Sequence, residues 1–163
     1  MTPKPQTGNL RPRVFRLPEQ KAVINRYGMN NDGLERFLAR VRAWREAGGR
    51  EILGINVSPN KDAVNGPHDY VTCVAALAPY ADYLVMNISS PNTPGLRGLQ
   101  NRAELTELLA SVKVARDRGA ARPPLLAKIA PDLTSEMRAD IAEVVLAAGI
   151  DGMIVTNTTV ARP

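Results

Sequence analysis

The stretch LLAKIAPDLTSEMRADIAEVVLAAGIDGMIVTN, residues 125–157, decides the fold class. It opens on a short apolar run, Leu125-Leu126-Ala127 with Ile129. Thr134-Ser135-Glu136 then starts a helix whose apolar stripe is Ile141, Val144, Val145 and Leu146, and Gly149 stops it. Met153-Ile154-Val155 is a second apolar run, closing on Thr156-Asn157. Runs this short, with β-branched residues and few polar interruptions, fit strands buried on both faces. Strand, helix, strand within about 30 residues is a βα unit, and it calls for a parallel sheet.

The same rhythm extends upstream. Apolar runs recur at Ile52-Leu53-Gly54-Ile55 and Tyr83-Leu84-Val85-Met86. Between the runs lie helices. Asp32 is placed to cap one through about Ala47, with Leu34, Phe37, Leu38 and Val41 on one face and Gly48-Gly49 as its stop; Asp69 to Tyr80 and Arg102 to Arg118 keep the same period. The fold class is therefore α/β, and periodicity leaves two closed forms open, a doubly wound sheet and an eight-stranded barrel. Three runs finish in asparagine, at Asn56, Asn87 and Asn157, and the fourth carries Lys128 near its end. In a parallel sheet the carboxyl ends share one edge, so a barrel gathers these groups into a ring and an open sheet spreads them along a line. An asparagine there can also be a turn former. No GxGxxG or Walker loop is present, which counts against a nucleotide-binding open sheet. A complete barrel takes about 250 residues, so four βα units in 163 residues supply roughly the middle half of a (β/α)8 barrel.

Residues 1–21 hold four prolines and no sustained period, and read as an extended basic arm or loop carrying Lys4, Arg11, Arg13, Arg16 and Lys21; residues 22–163 form the partial barrel domain. Composition narrows the function classes. At 44% hydrophobic the chain can bury a core, and Lys+Arg 21 against Asp+Glu 16 is compatible with an anionic ligand. The basic residues are scattered, which argues against nucleic acid as a partner. One cysteine, Cys73, excludes an intramolecular disulfide framework, and one histidine, His68, in a polar loop Asn65-Gly66-Pro67-His68-Asp69, excludes a multi-histidine zinc site; no metal is expected. No window approaches the roughly 18 apolar residues of a membrane span, so the chain by itself is expected to be soluble.

Three constellations carry the chemistry. Asn87-Ile88-Ser89-Ser90-Pro91-Asn92-Thr93-Pro94-Gly95-Leu96-Arg97 follows a buried strand, with prolines and a glycine shaping the loop while it offers amides and hydroxyls, as a pocket for a planar polar ligand requires; a structural turn is the plainer reading. Asn25-Arg26-Tyr27-Gly28-Met29-Asn30-Asn31 follows Ala22-Val23-Ile24, and its amides suit a ligand with alternating C=O and N–H edges, or cap a helix through Asn30 or Asn31. Lys128 interrupts an apolar strand, where an ammonium needs an anion, an electron-rich cofactor or a path to solvent.

These motifs, with Ala127-Lys128-Ile129-Ala130-Pro131-Asp132-Leu133, Asp151-Gly152 through Thr156-Asn157-Thr158-Thr159 and the opening Thr2-Pro3-Lys4-Pro5-Gln6, Gly8-Asn9 and Pro12-Arg13, resemble dihydroorotate dehydrogenase of the quinone-dependent class. Ser90, where the soluble class carries cysteine, selects that class. The resemblance implies an FMN barrel that oxidises dihydroorotate to orotate in pyrimidine (UMP) synthesis and passes the electrons to ubiquinone or a related quinone. It implies Ser90 as the base at C5, with Thr93 as its relay, and hydride transfer from C6 to the flavin. By the same likeness Asn56, Asn87, Lys128 and Thr156 contact FMN, while Asn25, Arg26, Tyr27, Gly28, Met29, Asn87, Asn92, Asn157 and Thr158 surround the substrate. Met29 stands where the family usually has phenylalanine, an apolar exchange expected to retune packing.

The family's membrane-associating N-terminal helices, first barrel strands and FMN-phosphate loops are expected to have no counterpart among these residues. The intact enzyme is expected as a peripheral protein on the cytoplasmic face of an inner membrane. The chain alone is expected to bind FMN weakly and turn over negligibly. The alternatives are a non-catalytic half-barrel module or truncated product, and a different FMN barrel acting on a pyrimidine in tRNA. That last reading needs a reactive cysteine, and Cys73 in a predicted helix is a poor one.

Overall fold

The computed structural model describes residues 1–89 and 101–161. The elements run β1 (Val14–Leu17), β2 (Ala22–Asn25), α1 (Gly33–Glu46), β3 (Gly54–Val57), α2 (Gly66–Leu77), a 3-10 turn (Ala78–Tyr80), β4 (Tyr83–Asn87), α3 (Arg102–Asp117), β5 (Leu125–Ile129), α4 (Ser135–Ala148) and β6 (Gly152–Val155). Strands β3 to β6 form one parallel sheet in the order β3-β4-β5-β6. That order decides between the two closed forms. A doubly wound sheet grows both ways from a switch point, so its strand order jumps, whereas a barrel lays each strand beside the last. The helices follow suit: α1 touches α2, α2 packs on α3 and α3 on α4, in one layer. The result is an arc of a (β/α)8 barrel, as the sequence predicts.

Register sorts the strand side chains onto two faces, because successive residues point to opposite sides. Ile55, Leu84 and Leu125 are neighbours across three strands, as are Val57, Met86 and Ala127. All six are buried, and Ile55, Val57, Leu84, Met86 and Leu125 join Tyr70, Leu77, Leu105, Leu109, Val112 and Ile141 in the core beneath the helices. The intervening residues, Asn56 opposite Val85, Val85 opposite Leu126, and Asn87 opposite Lys128, form the other, inner face.

Several boundaries differ from the sequence reading. Strand β3 begins at Gly54 rather than Ile52, which is 83% exposed. The chain before it is turned by Asp82, whose carboxylate accepts from Leu53 N at 2.7 Å while Asp82 N donates to Leu53 O at 2.9 Å. A Cβ at position 54 would run into the Tyr83 ring, so a larger residue there requires that ring to move. Helix α2 starts at Gly66, three residues early: Asn65 caps it through His68 N at 3.1 Å and proline sits in its first turn, so the expected polar loop around His68 is helical and His68 is exposed on it. Asp32 occupies the N-cap of α1 without capping it. Its carboxylate pairs with Arg40 at 2.6 Å, and Asn31 Oδ1 accepts from Gly33 N at 3.0 Å instead. Thr134 and Gly149 close α4 as the sequence predicts, Thr134 accepting from Met137 N at 3.2 Å and Gly149 taking a left-handed φ of 59°.

Residues 1–21 are extended as far as β1, which pairs antiparallel with β2, Val14 opposite Asn25. The sequence reading did not separate this strand from the arm, since its side chains are largely exposed and show no burial alternation. The arm is fastened by polar groups. Asn60 Nδ2 donates to Thr2 Oγ1, Lys4 O and Gln6 Oε1 at 3.2, 2.9 and 3.0 Å, and Gln6 bridges to Asn31 backbone.

Candidate active site

At the carboxyl edge of the sheet, residue period and register bring Asn56, Asn87 and Lys128 to one face. Asn87 ends β4 directly opposite Lys128 of β5, and Lys128 lies opposite Ile154 of β6. Val85, Leu126 and Ile154 supply an apolar floor between them. Asn56 is exposed, Lys128 half-buried and Asn87 only 5% exposed. Among the described residues the Lys128 ammonium has no ion pair and no side-chain hydrogen bond. A cation over an apolar floor with amides beside it can hold a flat, electron-rich or anionic ring.

Asn157 joins this group from beyond β6. Its N–H donates to Ile129 O at 3.1 Å, extending the β5–β6 ladder, and its side-chain Nδ2 donates to Ser89 Oγ at 3.0 Å. Ser89 in turn donates to Asn87 Oδ1, from Oγ at 2.8 Å and from its backbone N–H at 3.2 Å. From the helix side Tyr70, fully buried, donates its hydroxyl to the Asn87 carbonyl at 2.6 Å. Burial pushes the Tyr70 phenol well above its ordinary range, with a smaller opposing effect of Ser58, so it is a donor throughout the working pH range. Thr156 is exposed and turns its hydroxyl to Asn157 O at 3.1 Å; Thr158 N donates to Asn157 Oδ1 at 2.8 Å.

The second predicted group makes a separate set of hydrogen bonds. Among the described residues no hydrogen bond joins Asn25–Met29 to the Asn87–Ser89–Asn157 chain. Asn25 Oδ1 accepts from Tyr27 N at 3.4 Å, and the Arg26 guanidinium is taken up by Pro12 O at 3.0 and 2.8 Å. Tyr27 lies under the Arg13 guanidinium, 5.5 Å from its ring centre. Gly28 has a φ of +71° and packs so closely that a Cβ would sit 2.9 Å from Asn9. Gln6 Nε2 donates to the carbonyls of Gly28 and Met29, each at 3.1 Å, which fixes this loop to the arm. Ser90, Asn92 and Thr93 lie outside the described residues.

Sequence reasoning passed over Ser89 and Tyr70. Ser89 was findable, because it follows Asn87 by two residues and a strand period of two puts both on one face. Tyr70 carries no such signal, since it reaches Asn87 from another element. A cleft between α3 and α4, lined by Ala110, Val114, Val144 and Ala147 together with the charged Arg102, Lys113, Asp117, Arg118 and Glu143, lies on the helix layer. Among the described residues no helix is long and apolar enough to cross a membrane.

A family model described as dihydroorotate dehydrogenase matches residues 1–163. The dihydroorotate dehydrogenase (quinone) of Rhodospirillum rubrum is 55% identical over 165 residues, an alignment that covers 100% of this chain and 44% of that protein. The mitochondrial dihydroorotate dehydrogenase (quinone) of Mus musculus is 53% identical over 170 residues, covering 100% and 43%. Among solved structures, DHODH of Eimeria tenella in complex with ferulenol superposes with a TM-score of 0.95 at 40% identity, covering 100% of this chain and 50% of that one. The chain thus spans about half the length of the curated relatives it matches.

Proposed function

This chain belongs to the dihydroorotate dehydrogenase family, and on that premise we propose that it supplies one side of a flavin site in which dihydroorotate is oxidised to orotate and the electrons pass to a quinone. One observation carries the reading. Asn56, Asn87 and Lys128 share the inner face at the strand ends, and Asn157 is tied to them through Ser89.

The donor set fits flavin mononucleotide. Its ring is flat with amide edges, which calls for an apolar floor, asparagine amides and a cation without a competing anion, and Val85, Leu126, Ile154, Asn56, Asn87 and Lys128 are of those kinds. When bound, FMN supplies the hydride acceptor and hands on two electrons to the quinone. The chain's own residues do the rest. Lys128 holds a positive charge where negative charge develops on reduction, and Asn56, Asn87 and Thr156 orient the cofactor. Asn25 to Met29, Asn87, Asn92, Asn157 and Thr158 hold the substrate. Ser90 takes the C5 proton as hydride leaves C6, so one carbon–carbon double bond forms and two hydrogens depart, one as a proton and one as hydride. A serine hydroxyl is a weak base at neutral pH, and Thr93 three residues on relays the proton away.

The activity is assigned to a family-length protein carrying this sequence. Strands β3 and β6 each have one sheet neighbour among the described residues, so the arc by itself is expected to hold flavin weakly. Quinones are membrane-borne, and the family-length protein is read as peripheral on the cytoplasmic face of an inner membrane. The test is dihydroorotate-dependent quinone reduction by that protein with Ser90→Ala. A loss of about 10²-fold or more at neutral pH, with flavin content unchanged, is expected of a general base; near-normal turnover removes Ser90 from the role.

A further inference from the structure

We propose that Ser89 is a positioning residue that fixes the amide polarity of both Asn87 and Asn157, so that Asn87 meets the ligand as an N–H donor. This rests on the reading of the strand-end edge as the substrate and flavin site, and it concerns a side chain that touches neither group in that reading. Ser89 is fully buried, at 0% exposure. Period two places it on the same face as Asn87, two residues beyond that last strand residue.

The chemistry of the partners sets the direction of the chain. Asn157 Nδ2 can only donate and Asn87 Oδ1 can only accept, so the hydroxyl between them carries its hydrogen toward Asn87, with separations of 3.0 and 2.8 Å. Two backbone groups pin the amides in the same sense. Ser89 N–H donates to Asn87 Oδ1 at 3.2 Å and Thr158 N–H to Asn157 Oδ1 at 2.8 Å, and a backbone N–H can donate only to the oxygen end of the amide opposite it. Asn87 Oδ1 is then filled by two donors from one residue. Asn87 Nδ2 has no partner among the described residues, which leaves the donor end of the amide for a ligand carbonyl. Tyr70 holds the Asn87 backbone from the opposite face at 2.6 Å, so the amide turns about a fixed base. A site with its donors fixed in this way rejects a ligand that offers N–H at the same place, because two donors then face each other.

The experiment compares Ser89→Ala with Ser89→Thr in a family-length protein carrying this sequence, loaded with FMN. Orotate affinity is read from the change it causes in the flavin absorption spectrum, and KM and kcat per bound flavin are measured for dihydroorotate. Ser89→Ala is expected to weaken orotate about 10-fold and raise KM by a similar factor, with kcat per flavin within about 3-fold. Ser89→Thr keeps the hydroxyl and is expected to recover affinity to within about 3-fold of the parent. On an Asn157→Ala background, Ser89→Ala is expected to add less than about 2-fold, since without the Asn157 donor the Ser89 hydroxyl is no longer held toward Asn87. If Ser89→Ala does not fold, Ser89→Cys, a weak donor of similar volume, takes its place with a loss of at least about 5-fold. Orotate affinity within 2-fold of the parent in Ser89→Ala or in that Ser89→Cys substitute, equal losses in Ala and Thr, or losses that simply multiply on the Asn157→Ala background each overturn the role of Ser89. A parent protein that neither oxidises dihydroorotate nor binds orotate overturns the functional reading, and this inference falls with it.

Discussion

Within the parallel sheet, the face under the helices and the inner face are made by the same strands from alternate residues. Ile55, Leu84 and Leu125 are buried against α2, α3 and α4, while Asn56, Asn87 and Lys128 stand one residue away on the other side. One side is a packed apolar core whose contribution comes from area removed from water; the other is a sparse set of polar groups over a thin apolar floor. The difference teaches that stability and ligand chemistry are separable at single-residue spacing here, because successive strand side chains point to opposite sides of the sheet.

The comparison can be broken by substitution. Leu84→Ala, on the helix face, is expected to lower the free energy of unfolding by about 2–5 kcal/mol, read from the urea midpoint, since a fully buried leucine leaves a cavity. A loss below about 1 kcal/mol refutes the division of labour. Lys128→Met, on the inner face, is expected to leave stability within about 1 kcal/mol while dihydroorotate turnover in the family-length protein drops about 10²-fold. A midpoint shift as large as that of Leu84→Ala contradicts it.

The smallest effect concerns Asp82, which serves neither face and ties the entry of β3 to α1. The Leu53 N–H, and then the hydrogen bond from Arg45 at 2.6 Å, hold its carboxyl below the usual range. A depressed carboxyl stabilises the fold above its unfolded pKa of about 4 and ceases to do so as pH falls through the lowered value. Asp82 is exposed, so the effect is small. Asp82→Asn is expected to flatten a little of the acid limb of the urea midpoint against pH; superimposable acid limbs sink the assignment.

Much of the fold was legible in the sequence because its signals are local. The apolar runs at Tyr83, Leu125 and Met153 each fall in a strand, and Thr134 and Gly149 bound α4 where the cap chemistry puts them. What failed was also local but contested. Ile52 looks like strand residue by composition, yet Asp82 turns the chain there and leaves it in water. Asp32 has the right chemistry for a cap, but Arg40 competes for its carboxylate and Asn31, one residue earlier, reaches the helix N–H. At the site, the strand-end asparagines and Lys128 were legible from their positions in apolar runs. The links among them were not, since Asn157 and Ser89 are 68 residues apart and Tyr70 meets Asn87 from a helix.

The sequence by itself determined the kinds of element, the alternation of strand faces and the family likeness of the motifs, because side-chain period, capping and turn chemistry act within a few residues. Only the tertiary structure decided that the strands lie in sequential order, that Asn87 stands opposite Lys128, and that Ser89 joins Asn87 to Asn157. Those are contacts between segments far apart along the chain, fixed by how the helices cover one face of the sheet, and no local pattern encodes them.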